Sequence, residues 1–494
     1  MNIGIIGAGF AGLASARVLR ALGHQVTVYE KEPDVGGVWS ATRRYPGLRT
    51  QNNKGSYSLS DMAMPRSFPQ WPTSAQVQQY LEGYAAEFDL PGCLQLSTEV
   101  TAAVPTVGGG WDVTARAADG GENTTHFDHL VVASGIFSRP FIPDYEGVDD
   151  LERAGGRVIP ANELHSLDQV RGKHAVIVGY GKSACDIAVE TASVARSTTV
   201  VARHLLWKMP RHVKGIINYK YLLLTRLGES LFPYRRLTGF ERFLHARGSA
   251  VANGMLGGVE KITTGQLRLK PLGLLPPGTF ADIARSTVSL ASEGFFEAVA
   301  EGRIAVQRDT RIIRFLEKDG APHAELANGD VIRADLVLAA TGWSQEIPFL
   351  PPSVMERLVD DNGDFLLYRQ IHPIHVDDLS FAGYNSSFLS PLSAEVSAIW
   401  IGSLLGGNHR TPSREEMLDE TRERLAWMRE RTRGKHAHGT NLIPFSVHNI
   451  DEVLSDVGLD VSRAVKIKQW LLPFNPQDYR HITPRLAKSL QEAA

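Results

Sequence analysis

The chain has 494 residues, 43% of them hydrophobic and 21% charged, with a net charge of -2. That length predicts two or three domains, and the near-balance of charge argues against a polyanionic partner such as nucleic acid. Cys93 and Cys185, the two cysteines, lie far apart and offer neither a disulfide framework nor a zinc spacing.

No apolar run approaches the roughly 20 residues that cross a bilayer, so no integral membrane segment is expected. The N-terminus enters a strand with no basic region before it, and the expectation is a cytoplasmic enzyme without a secretory signal.

NIGII reads as a short central strand of a parallel sheet. GAGFAG follows and puts Gly7, Gly9 and Gly12 at the G-x-G-x-x-G spacing. In such a loop the first glycine makes the tight turn, the second lets the backbone approach a pyrophosphate, and the third lets helix and strand pack closely. LASARVLRALG reads as the following helix, whose N-terminal N–H groups would face phosphates. HQVTVYEK is a second strand with Glu30 at its end, where an acid about 20 residues after the loop accepts hydrogen bonds from a ribose diol.

HAVIVGYGKSACDIAVE repeats the design with Gly179, Gly181 and Ala184. Its second strand, STTVVAR, ends in Arg203 where the first unit carries an acid. A guanidinium there suits a 2′-phosphate, which selects NADP over NAD; the alternative is a solvated charge at a strand end. Two nucleotides serve one chain when a resident flavin is reduced by a nicotinamide, so the first loop is assigned to FAD and the second to NADPH.

DHLVVASG (128–135) and DLVLAATG (335–342) share the pattern D-x-x-x-x-A-[ST]-G, and prolines follow each. They read as the two crossings between domains. The expected fold is α/β with two Rossmann-like dinucleotide-binding domains. A discontinuous FAD domain (1–153 and 335–494) holds an inserted NADPH domain (154–334). Within the latter, about 207–290 departs from a plain nucleotide-binding unit. It is rich in aromatics and arginines and reads either as a helical layer over the sheet or as a substrate- or membrane-contacting subdomain.

Further segments carry a resemblance. They are EKEPDVGGVW (30–39), YPGLRTQNNKGSYSLSDMAMP, FDHLVVASGIFSRPFIP, DLVLAATGW and LSFAGYNSSFLSPLSAEVSAIWIGSLL. Together with the two glycine loops, these resemble the flavin-dependent monooxygenases of the flavin-containing (FMO) and Baeyer–Villiger type, over most of the chain. The resemblance implies an NADPH-dependent FAD monooxygenase. In such enzymes oxygen adds at the flavin C(4a) carbon, NADP+ stays bound to guard the (hydro)peroxide, and one oxygen atom passes to a small-molecule substrate. It demands a dry, hydrogen-bonding pocket. The partners implied are that substrate and molecular oxygen, in a monomer or homodimer.

The resemblance also distributes roles. On the FAD side it implicates Phe10 and Ala11 beside the three glycines. Lys31 next to Glu30, then Gly37, Val38 and Trp39, follow. Thr50, Gln51, Val100, Ser134 and Gly135 complete that group, with Thr341 and Gly342 at the second crossing. On the NADPH side it implicates Lys182, Ser183 and Asp186 beside the second loop.

The family's T-N-x-P-K element is replaced by Thr50, Gln51, Asn52, Asn53 and Lys54, so Gln51 stands in the place of the asparagine near the flavin's reactive edge. Gln51 and Asn52 are the candidate catalytic amides, the alternative being a turn-capping polar cluster. His165 retains the histidine of the family's F-x-G-x-x-x-H fingerprint, with Ile159, Ala161 and Gln169 in the phenylalanine, glycine and aromatic places. It is the third candidate, for coupling NADP position to flavin chemistry; otherwise it is a hinge-region histidine.

Asp61, in YSLSDMAMP, is expected as a structural anchor on the FMO side. Oxygenation of nitrogen or sulfur is the leading expectation and Baeyer–Villiger oxygenation of a ketone the second. The ketone reaction needs an arginine over the flavin, for which Arg43, Arg44 and Arg49 are near in sequence. A disulfide reductase would need two neighbouring cysteines, which the chain lacks. A flavin sensor without turnover would not need the second loop.

Overall fold

The computed structural model describes residues 1–285 and 289–493; residues 286–288 of the expected insert, and Ala494, lie outside them. Two five-stranded parallel sheets organise the chain. In the first, Asn2–Ile6 lies between Gln25–Tyr29 and His129–Val132; Leu94–Gln95 and Leu379–Phe381 form its edges. Alternation along these strands splits their side chains between two cores, as a period of two requires. Ile3, Ile5 and Val131 face the helices Phe10–Ala21 and Ser390–Leu405. Ile6, Leu130 and Val132 face Trp111 and Phe127 of an antiparallel three-stranded sheet.

The second sheet is built the same way around His174–Val178, between Ser197–Ala202 and Leu336–Ala339, with Ala305–Arg308 and Arg157–Pro160 outside. Ala175 and Ile177 pack toward the helix Lys182–Thr191, whereas Val176 packs on Phe315 and Leu326 of a second antiparallel sheet.

The second crossing lies later than the sequence reading set it. Leu336–Ala339 belongs to the second sheet, so residues 335–339 do not open the returning part of the first domain. The two repeats are alike because each is the last strand of its sheet before the chain crosses to the other domain. The two connections meet where Arg139–Pro140 pairs antiparallel with Trp343–Ser344.

The insert is helical, as its composition suggested, and is closed at its base by Lys208–Met209 pairing parallel to Ser289–Leu290. Its longest helix is Ser249–Gln266. Partly buried ion pairs fasten the insert to the C-terminal helices. Arg226 meets Asp451 at 2.6 Å, Arg235 meets Glu420 at 2.6 Å, and His448 lies between Glu229 (2.5 Å) and Glu241 (2.7 Å). No helix among the described residues is long and apolar enough to cross a membrane.

Candidate active site

The first glycine loop turns where Asn2–Ile6 ends. Gly7 has φ +107°, and a Cβ there would lie 2.6 Å from the Ala133 carbonyl oxygen. At Gly12 a Cβ would lie 1.8 Å from the Gly7 carbonyl oxygen, so only glycine lets this helix sit on its strand. Gly9 is different. Its Cβ position meets nothing nearer than the Gly37 Cα at 3.5 Å, so the protein leaves room there and two bare backbones face each other.

Glu30 is buried, and its carboxylate accepts the Ala8 N–H (2.7 Å) and the Glu32 N–H (3.0 Å). Burial raises the Glu30 carboxyl, partly offset by these two hydrogen bonds. The acid therefore shapes the loop as well as standing at its mouth. Lys31 beside it is exposed. Trp39 is buried edge-on against Tyr57, which also meets Phe10 at 5.4 Å, so an aromatic wall follows the loop. Val38 is half-buried, Ala11 is buried in the first core, and Val100 is buried in the core behind the first sheet.

Buried polar atoms without partners mark where a ligand belongs. Ser134 Oγ and Asn385 Oδ1 are two such atoms, the first immediately after the strand His129–Val132 and the second beyond Leu379–Phe381. Gly135 has φ +77° and open space around its Cβ position. These features fit a dinucleotide with a polar ring system laid across the ends of the first sheet. Thr341 and Gly342 are tied to the first crossing. Thr341 Oγ1 donates to the Phe141 carbonyl, and the Gly342 carbonyl accepts the Phe141 N–H at 3.0 Å, so both knit the crossing.

The second loop has the same logic. Gly179 has φ +125° and no room for a Cβ, which would sit 2.5 Å from the Ala340 carbonyl oxygen; Gly181 is open, and Ala184 is buried. Arg203 ends its strand exposed, with no carboxylate within 4.0 Å among the described residues. A free cation beside an open glycine loop fits a phosphate-bearing nucleotide.

Lys182 Nζ is bound to the Asp186 carboxylate one turn on, and Ser292 Oγ also donates to Asp186 at 2.6 Å. Both side chains are largely buried, and their pairing pins the first turns of the helix. Ser183 Oγ pairs with the Tyr45 hydroxyl at 3.0 Å, and Gly47 packs against Glu190, so the YPG segment of the first domain lies on the second loop's helix.

Between the loops sits the amide cluster. Thr50 is buried and its hydroxyl donates to the Asn52 carbonyl at 2.7 Å. Asn52 is buried and its Nδ2 donates to the Phe388 carbonyl. Gln51 Oε1 accepts the Leu290 N–H at 3.2 Å, while the Gln51 carbonyl accepts the Tyr219 hydroxyl at 3.0 Å. That hydroxyl also lies 3.5 Å from Asn52 Oδ1. The structure thus brings Gln51 and Asn52 together under a lid formed by the insert.

His165 is not in this cluster. It is exposed, and its side chain makes no hydrogen bond among the described residues. Gln169 replaces the expected aromatic by capping the turn, its Oε1 accepting the N–H groups of His165 (2.8 Å) and Ser166 (3.0 Å). Asp61 anchors as expected, between Arg17 (3.5 Å) and the Tyr84 hydroxyl (3.5 Å). Nearby, Glu395 is fully enclosed; burial pushes its carboxyl up to about 7 despite hydrogen bonds from Ser60.

Tyr219 and Lys208 escaped the sequence reading. Only Tyr219, an aromatic in a basic insert, left any signal there.

Residues 1–237 and 297–466 match the family described as flavin-binding monooxygenase-like. A curated relative, probable flavin-containing monooxygenase 1 of Arabidopsis thaliana, is 26% identical over 97% of this chain and 96% of its own length. Among solved structures, S-allyl-L-cysteine S-oxygenase from Allium sativum superposes with a TM-score of 0.63 at 18% identity, covering 99% of this chain and 98% of that one. Cyclohexanone monooxygenase bound to ε-caprolactone superposes with a TM-score of 0.66 at 17% identity, again over 99% and 98%. With two glycine loops and family agreement over most of its length, the chain belongs to the flavin-binding monooxygenase-like family and is an NADPH-dependent FAD monooxygenase.

Proposed function

We propose that this enzyme oxygenates a nitrogen or sulfur atom of a small, soft nucleophile. The observation that carries the choice is the disposition of the nearby arginines. Arg43 donates to the Phe137 carbonyl at 2.6 Å and lies over Trp343, Arg44 donates to Gln78 at 3.0 Å, and Arg49 donates to the Trp71 carbonyl at 3.4 Å. Each guanidinium is engaged elsewhere, whereas ketone oxygenation calls for a cation free to hold an anion at the flavin. Uncharged amides, Gln51 and Asn52, occupy the segment instead.

In this reading the first loop cradles FAD, with Ser134 and Asn385 completing its hydrogen bonds, and the second cradles NADPH, with Arg203 on the 2′-phosphate. Bound FAD, reduced by NADPH, supplies the oxygen-activating chemistry. The chain's own work is positional. Tyr219 and Leu290 orient Gln51 from opposite atoms, Phe388 fixes Asn52, and Trp39 with Tyr57 keeps water from the flavin side. His165 keeps its expected coupling role only through a movement that brings it in from solvent.

The test is product analysis with purified enzyme, NADPH and oxygen against a thioether, a tertiary amine and a cyclic ketone. A sulfoxide or N-oxide as the main product is expected. A lactone as the main product would replace this reading with Baeyer–Villiger chemistry.

A further inference from the structure

Lys208 is 2% exposed, yet no carboxylate lies within 4.0 Å of it among the described residues. Its Nζ donates to the Tyr180 carbonyl at 2.8 Å, lies 3.4 Å from Ser289 Oγ, and sits 4.7 Å from the centre of the Tyr180 ring. A buried cation without a counter-charge costs several kcal/mol unless hydrogen bonds and neighbouring dipoles compensate it. An apolar residue would fill this short strand, between Trp207 and Met209, without that cost. The charge therefore asks for a reason other than packing.

Its partners supply one. Tyr180 stands between Gly179 and Gly181, in the second loop itself. Ser289 is the register partner of Lys208, and the next residue, Leu290, donates its N–H to Gln51 Oε1 at 3.2 Å. The Met209 carbonyl accepts the Ala291 N–H at 2.8 Å, which ties the two short strands together beyond their paired residues. One ammonium group thus joins the second glycine loop to the backbone that holds the Gln51 amide.

We infer that Lys208 is a positioning residue that couples occupancy of the second loop to the orientation of Gln51. A nucleotide settling on the loop shifts or stiffens the Tyr180 carbonyl. Lys208 carries that change to Ser289 and Leu290, and Gln51 is held in its working orientation only when the nucleotide is present. The inference rests on the proposed reading of that loop and of Gln51. A contact chain alone does not establish coupling, which a double-mutant cycle measures directly.

The experiment uses flavin-loaded Lys208→Met, Gln51→Ala and the double variant. Two readouts are taken without substrate: NADP+ affinity by fluorescence titration, and hydrogen peroxide released per NADPH oxidised. Lys208→Met is expected to weaken NADP+ binding at least threefold and to raise peroxide release at least threefold. In the Gln51→Ala background it should add no further release. Independent, multiplying effects on release, or an unchanged release in Lys208→Met, would overturn the coupling.

Lys208→Gln, which keeps a donor but not the charge, stands in if the methionine variant does not fold, with the same cycle and the same criteria. Failure of the wild-type enzyme to be reduced by NADPH would instead refute the reading of the second loop. Wild-type reduction with an additive cycle refutes Lys208 alone.

Discussion

Replacing Arg203 with alanine separates a binding role from a structural one. Its guanidinium is exposed, ends a strand and has no carboxylate partner among the described residues, so its loss leaves no buried group unpaired. The fold should change in stability by no more than about 0.5 kcal/mol, the usual limit for such a surface site. A hydrogen bond between charged groups contributes about 1.5–3 kcal/mol. If Arg203 holds the 2′-phosphate, that corresponds to a loss of roughly 10- to 150-fold in NADPH affinity. NADH lacks the phosphate and should lose almost nothing. The assay is anaerobic flavin reduction at varied NADPH and NADH, with the melting temperature measured on the same protein. Equal losses for both nucleotides would refute the assignment, as would a large fall in melting temperature with unchanged nucleotide preference.

Two further outcomes follow from the same geometry. Gly12→Ala forces a methyl group to within 1.8 Å of the Gly7 carbonyl oxygen, whereas Gly9→Ala meets only ordinary contact at 3.5 Å. The first should lower the melting temperature and flavin content together, at a cost above about 3 kcal/mol; the second should fold normally yet retain less FAD on desalting. Equal melting temperatures for the two would contradict the loop's packing. At His448, burial opposes the charge, but hydrogen bonds to Glu229 and Glu241 outweigh it and push the imidazole up from 6.5 to about 10. A raised folded value stabilises fully below 6.5 and loses that contribution as pH climbs toward 10. Denaturant unfolding of the wild type should therefore lose up to about 1.4 kcal/mol per pH unit across this window relative to His448→Gln. Parallel pH profiles would show that the imidazole is not held charged.

The local signals proved reliable where the chemistry is local. A glycine loop, the strand before it and the charge after it fall within about 30 residues, and each glycine's demand is a steric one that its neighbours impose. That is why Gly7, Gly12 and Gly179 could be read in advance, and why Glu30 and Arg203 stand where their spacing put them. The family's likeness reaches the amide segment for the same reason.

Other assignments depended on partners that no local pattern encodes. Asp186 is joined not only by Lys182 one turn before it but by Ser292, which arrives from 106 residues away. Gln169 seemed a lost aromatic and is a turn cap. The repeat at 335–342 carries the right pattern, yet which sheet takes an apolar strand is decided by its neighbours across the ladder. The insert shows the contrast most plainly. Its sequence determined that it would be basic and aromatic and suggested helices, because composition acts residue by residue. Only the tertiary structure decided that Tyr219 and Leu290 would close over Gln51, that Lys208 would lie beneath the second loop, and that Glu229 and Glu241 would enclose His448. Those contacts join residues 28 to 239 positions apart, whose meeting is fixed by how the sheets and helices pack and not by any spacing along the chain.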